Sequence, residues 1–262
     1  LMLPDFKVNF DKTNIEKFHS AQKSDRVFIE TMDGVECWQE KRPIQKVGLY
    51  IPGGTAPLFS TILMLAVPAT IAGCDEIVLC SPPNYEGKID PAILYTAALC
   101  GVTKIFKVGG IQAIAAMTFG TESIPQVYKI FGPGNQYVTV AKQIATKYGV
   151  AIDMPAGPSE LLVVADDSAN AAFVASDLLS QAEHGVDSQV ILVSTSKKMM
   201  LAVEKELNKQ LDDLSRKEIA AKAIANSKLI YVDNDESALA LINAYGPEHY
   251  IVCVENEEYY VQ

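Results

Sequence analysis

From Val47 onward, short apolar runs alternate with helix-spaced stretches, and that alternation leaves few folds open. The runs at 47–51, 76–80, 104–108 and 127–131 read as strands. The stretches between and after them, 58–71, 91–99, 111–117 and 136–147, read as helices. After Pro155-Ala156-Gly157-Pro158 the pattern resumes, with strands at 161–165, 189–193, 228–232 and 250–254. Helices are expected at 171–183, 197–214, 217–226 and 236–244. Strands separated by helices at this spacing form βαβ units around a mostly parallel sheet. The fold class is therefore α/β, with two units of similar build joined at 155–158. Ahead of them, 11–23 has helical spacing, and 27–40 reads as a strand pair around the Asp33-Gly34 turn.

Charge and cysteine usage exclude several classes of function. The net charge is −10 and no long basic run is present, which argues against nucleic acid and anionic membrane as partners. A nucleotide cofactor stays open, because backbone N–H groups at a helix N-terminus can hold its phosphates. Val47 to Cys74 carries no charge, but Pro52, Gly53, Gly54, Pro57 and Pro68 interrupt it well short of the ~20 residues of a spanning helix. Cys37, Cys74, Cys80, Cys100 and Cys253 form no C-x-x-C pair. Four of the five lie beside apolar strand or helix residues and read as small buried hydrophobes in a reducing, cytoplasmic compartment.

The chemistry falls in loops. Ile51-Pro52-Gly53-Gly54, Val108-Gly109-Gly110-Ile111-Gln112 and Phe131-Gly132-Pro133-Gly134-Asn135 each follow a strand and open a helix. In parallel sheets, ligands bind beyond such carboxyl ends. The third loop approaches a dinucleotide fingerprint, with Asp153, at the end of the next strand, as the acidic residue, but Tyr137 stands where the third glycine belongs. Each loop taken singly is equally a tight turn. Ser180-Gln181-Ala182-Glu183-His184-Gly185 closes a helix, with Gln181 and His184 on one face and Gly185 expected to stop it in a left-handed conformation. The pair reads either as part of a metal site or as a histidine facing the helix dipole. Glu248-His249, behind Gly246-Pro247, could act as acid and base over one water or lie solvated in a loop. Ser159 could cap a helix or contact a substrate.

The motifs Leu49-Tyr50-Ile51-Pro52-Gly53-Gly54, Ile130-Phe131-Gly132-Pro133-Gly134-Asn135, Asp153-Met154-Pro155-Ala156-Gly157-Pro158-Ser159-Glu160, Ser180 to Gly185 and Tyr245-Gly246-Pro247-Glu248-His249 occur in this order. Together they resemble the histidinol dehydrogenase family. The resemblance implies two Rossmann-like units with one nested in the other, 50–158 within 1–49 plus 159–262. It implies oxidation of L-histidinol to L-histidine through L-histidinaldehyde, by two hydride transfers to NAD, in a zinc-dependent homodimer. Gln181 and His184 would be zinc ligands. Tyr50, Gln112 and Asn135 would line the NAD site, and Ser159, Gln181, His184 and His249 would contact substrate. His249 would be the base of both oxidations, and Glu248 would activate the water that attacks the aldehyde. Family members are longer, and their remaining zinc ligands fall in a C-terminal portion. The resemblance thus implies a chain inactive by itself, lacking an N-terminal segment and that portion. A zinc hydrolase with Glu248 as base is the alternative the residues alone allow.

Overall fold

The computed structural model describes residues 5–53, 58–155 and 160–261. Contacts within the chain divide it into two compact units, Leu1–Ala156 and Gly157–Gln262.

In the first unit, helix α1 (Asp5–Ala21) and the hairpin β1 (Val27–Met32) and β2 (Val35–Gln39) precede the main sheet. Then follow β3 (Lys46–Tyr50), α2 (Phe59–Ala72), β4 (Glu76–Ser81), α3 (Pro91–Leu99), β5 (Lys104–Lys107), α4 (Gly110–Phe119), β6 (Lys129–Phe131), α5 (Gln136–Ala145) and β7 (Ala151–Ile152). A single 3-10 turn, Thr146–Tyr148, extends α5. The five strands from β3 to β7 are parallel, in the order β5-β4-β3-β6-β7. The chain moves outward from β3 to β5 and then returns to the other side of β3. The sheet therefore changes direction between β3 and β6, and a crevice opens at such a switch, outside the carboxyl ends of the strands.

Both faces of this sheet are covered, so its central strand is apolar after Lys46. Leu49 packs with Ile62, Leu63 and Ala66 of α2 and Ile93 of α3 on one face. Tyr50 packs with Ile114 and Met117 of α4 and Val138 of α5 on the other. Local chemistry sets the helix ends. Asp90 caps α3 by accepting from the Ala92 N–H at 2.8 Å, and Pro91 follows at the first helical position. Gly73, at φ 84°, closes α2.

The second unit repeats the plan with β8 (Glu160–Ala165), α6 (Ala171–Ala182), β9 (Gln189–Ser194), α7 (Lys197–Asp213), α8 (Lys217–Ala225), β10 (Lys228–Tyr231), α9 (Asp235–Tyr245), β11 (His249–Cys253) and α10 (Glu258–Val261). Its strands are parallel in the order β10-β9-β8-β11. Leu161, Val163, Val190 and Leu192 face α6, α7 and α8. Leu162, Val164, Ile191 and Val193 face α9 and Tyr260 of α10. Both sheets thus run out from their first strand and return on its other side, which is the similarity of build expected from the alternation.

Most element boundaries agree with the sequence reading to within a residue or two. The largest difference is α1, which starts at Asp5 instead of residue 11. The short strand β7 is the strand expected to end at Asp153, reduced to the two residues that pair with β6. The expected domain boundary at 49/50 falls inside β3, whose hydrogen bonds run to β4 and β6. The contact division at 156/157 also differs from the nested grouping of 1–49 with 159–262. Among the described residues, no helix is long and apolar enough to cross a membrane.

Candidate active site

In the first unit, the three residues expected at a nucleotide site stand at the carboxyl edge. Tyr50 ends β3 and is almost wholly buried. Its hydroxyl accepts the Gly110 N–H at 3.0 Å, which joins the end of β3 to the start of α4. Gln112 lies exposed on the first turn of α4. Asn135 caps α5, its Oδ1 accepting the Val138 N–H at 3.1 Å, which leaves its amide NH2 free to donate.

The glycines of these loops answer first to packing. A Cβ on Gly53 or on Gly109 would lie 2.5 Å from the Pro82 ring, so Pro82 wedges between the loops after β3 and β5. A Cβ on Gly132, at φ 125°, would lie 2.0 Å from the Tyr50 carbonyl oxygen. Only glycine lets the β6 loop approach β3 this closely. Pro82 carried no signal in the sequence, because its partners are distant along the chain.

Asp153 does not act as the acidic member of a dinucleotide fingerprint. Its Oδ2 accepts the Gly132 N–H at 2.8 Å, and its Oδ1 pairs with the Lys142 ammonium. Both carboxylate oxygens are engaged within the fold and are not offered to a ribose. A nucleotide still fits this edge on the helix ends, because neither Leu58, ahead of α2, nor Gly109, ahead of α4, makes a side-chain cap. The Gly110 N–H is already held by the Tyr50 hydroxyl, and the remaining N–H groups of those first turns would suit a pyrophosphate.

In the second unit, the expected residues gather at the opposite edge, by the amino ends of the strands. His249 is the first residue of β11 and pairs in register with Leu161 near the start of β8. Glu248 precedes it, and both are exposed. Helix α9 ends at Gly246, whose left-handed φ of 61° stops it, and Pro247 follows. Tyr245 of that last turn donates from its hydroxyl to Gln189 Oε1 at 2.7 Å, fixing the helix end beside the start of β9. Burial, and after it the neighbouring Glu160 carboxylate, push the Tyr245 phenol above its ordinary pKa.

Gln181 and His184 reach the same edge from α6, whose end leads through a short turn into β9. Gln181 is 7% exposed, and no hydrogen bond holds its carboxamide among the described residues. His184 is exposed, and its backbone N–H donates to the Gln181 carbonyl at 3.1 Å, carrying the turn one step past the helix. Gly185 is not left-handed, contrary to the expectation. Glu183 closes the helix with right-handed dihedrals, and a Ser188 N–H to Gly185 carbonyl bond of 3.1 Å forms the next turn.

A carboxamide and an imidazole three positions apart at this helix end suit a cation, and the two groups would fill half of a tetrahedral zinc shell. Among the described residues no cluster of three or more His, Cys, Asp or Glu completes it. Ser159 lies outside the described residues.

The histidinol dehydrogenase family model matches residues 6–262. A histidinol dehydrogenase of Bacteroides fragilis strain YCH46 is 65% identical over 248 residues, covering 95% of this chain and 58% of the relative. One from Bacteroides thetaiotaomicron is 65% identical over 249 residues, with the same coverage. The crystal structure of histidinol dehydrogenase from Elizabethkingia anophelis superposes with a TM-score of 0.94 at 56% identity, over 99% of this chain and 60% of that one. A putative aldehyde dehydrogenase from Burkholderia cenocepacia, at 15% identity and a TM-score of 0.55, shares the fold. The chain spans a little over half the length of these histidinol dehydrogenases, and within that span it belongs to the histidinol dehydrogenase family.

Proposed function

We propose that this chain carries the nucleotide-binding and acid–base parts of an enzyme that oxidises L-histidinol to L-histidine, the last step of histidine biosynthesis, through L-histidinaldehyde. The observation that carries the reading is the family match over residues 6–262. Tyr50, Gln112 and Asn135 border the first unit's carboxyl edge, where NAD would bind; when bound, it accepts a hydride in each of two oxidations. Gln181 and His184 would hold zinc, which would anchor the substrate's imidazole and amine. Ser159 completes the substrate contacts in this reading.

His249 takes the alcohol proton during the first oxidation. Its exposure at the start of β11 leaves the imidazole open to solvent and substrate. Glu248 withdraws a proton from the water that attacks the aldehyde carbon, and His249 acts again as base when the resulting hydrate is oxidised. The nested arrangement of domains and assembly as a homodimer belong to the same proposal. Gln181 and His184 would be two zinc donors, and a complete shell would draw its further ligands from other residues of the enzyme. No observation favours the hydrolase.

The roles predict separable defects in the chain joined to the C-terminal portion of the Bacteroides fragilis relative. His249→Asn slows oxidation of both L-histidinol and L-histidinaldehyde by roughly 10²–10⁴-fold. Glu248→Gln slows the aldehyde step far more than the alcohol step. Equal loss on both substrates in Glu248→Gln would remove the assigned role of that carboxylate.

A further inference from the structure

The loop after β6 is held by two charged side chains that no role above has used. β6 ends at Phe131, so the Gly132 backbone groups have no strand partner. Side chains stand in for one. Asp153, just past β7, accepts the Gly132 N–H at 2.8 Å. Lys142, from α5, donates to the Gly132 carbonyl at 2.7 Å and pairs with Asp153 Oδ1. Lys142 is 5% exposed, and a cation buried this deeply persists only when paired. The two residues close a ring through Gly132 and fix the peptide groups on both sides of it. That sets the φ of 125° which brings Gly132 against the Tyr50 carbonyl. It also ties α5 to the loop that starts it, three residues ahead of the Asn135 cap.

We infer that Lys142 and Asp153 are positioning residues of the nucleotide site: their ion pair clamps the Gly132 turn and so holds Tyr50 and Asn135 in place at the sheet's switch point. Neither side chain touches the nucleotide. The inference rests on the nucleotide reading proposed above, and it explains why an acidic residue recurs 21 positions after Gly132 without serving a ribose. A buried lysine at this place costs desolvation, and an apolar side chain would fill the space as well. Its function is the donor it offers to the Gly132 carbonyl.

The test uses the 262-residue chain, with NAD+ as the probe, titrated by calorimetry. Hydrogen exchange at the Gly132 amide is followed in parallel. Lys142→Met keeps the length of the side chain without its charge. It should weaken NAD+ binding by about tenfold or more, since it removes the charge-assisted bond that holds the Gly132 carbonyl. Gly132 exchange should speed up while the helical circular dichroism is unchanged. Lys142→Arg, which restores a cation and donors, should recover most of the affinity. Should Lys142→Met fail to fold, the double variant Lys142→Met with Asp153→Asn leaves no unpaired buried charge and should show the same loss. If the parent binds NAD+ and the variants bind it equally well, the clamp has no positioning role and the inference fails. If the parent does not bind NAD+ at all, the nucleotide reading itself fails, and the inference with it.

Discussion

Single residues here are constrained by what lies far away in the chain. Gly132 is glycine because the Tyr50 carbonyl, more than eighty positions earlier, occupies the space a Cβ would need. Gly53 and Gly109 are glycines because of Pro82. None of these reasons can be read from local spacing, so the loops looked like phosphate cradles or plain turns with nothing to separate the two. Cys80 and Cys100 were more legible, because apolar neighbours in sequence became apolar neighbours in space. Burial pushes the Cys80 thiol up to about 12 and the Cys100 thiol up to about 11, which removes their thiolates at neutral pH. Cys37 lies exposed on the hairpin. Brief treatment with iodoacetamide at pH 8 should therefore alkylate Cys37 first, with Cys80 and Cys100 reacting only after denaturant is added. Mass spectrometry of the peptides reads the order. Early labelling of Cys80 would contradict its place in the core beside Tyr50 and Ile114.

At the scale of elements, the strands and helices from β3 to β11 were nearly all visible as alternating apolar patterns. The exceptions share a cause. β7 is two residues long, too short for any period of its own, and was expected only as the strand that Asp153 ends. The last turn of α6 is closed by loop hydrogen bonds and not by Gly185. Where Glu248 and His249 sit could not be deduced either. The residues expected at a ligand site lie at the carboxyl edge in the first unit and at the amino edge in the second. Only strand order and register reveal that. The second unit's carboxyl edge is instead tied together by Asp166, at the end of β8. Its Oδ2 accepts the Glu255 N–H beyond β11 at 2.9 Å, and its Oδ1 accepts both the N–H and the hydroxyl of Ser168. Burial alone would raise this carboxyl, but those bonds to its charged form outweigh burial and hold it below its ordinary pKa. A depressed folded value adds stability above the unfolded pKa, and the gain is lost as pH falls through the folded value. The urea midpoint should thus fall more steeply between about pH 5 and pH 3 in the parent than in Asp166→Asn, around the usual aspartate value of about 3.9. Equal slopes would show that these bonds do not favour the charged carboxylate.

For the whole molecule, the first strand of each unit is its organising element. β3 and β8 are buried on both faces, and each sheet turns back beside one of them. This doubled plan was foreseeable from the alternation on both sides of 155–158. The family was foreseeable from five ordered motifs. What composition and spacing could not supply was the proposed division of labour, with NAD at an edge of one unit and acid–base and metal-ligand residues at an edge of the other, each on its own sheet. That division is the central claim, and the stoichiometry of NADH formation tests it most directly. With the chain joined to the C-terminal portion of the Bacteroides fragilis relative, limiting L-histidinol and excess NAD+ should give two NADH per L-histidinol consumed, and addition of a zinc chelator should abolish the signal. One NADH per substrate, or none from a folded protein with zinc supplied, would contradict the account.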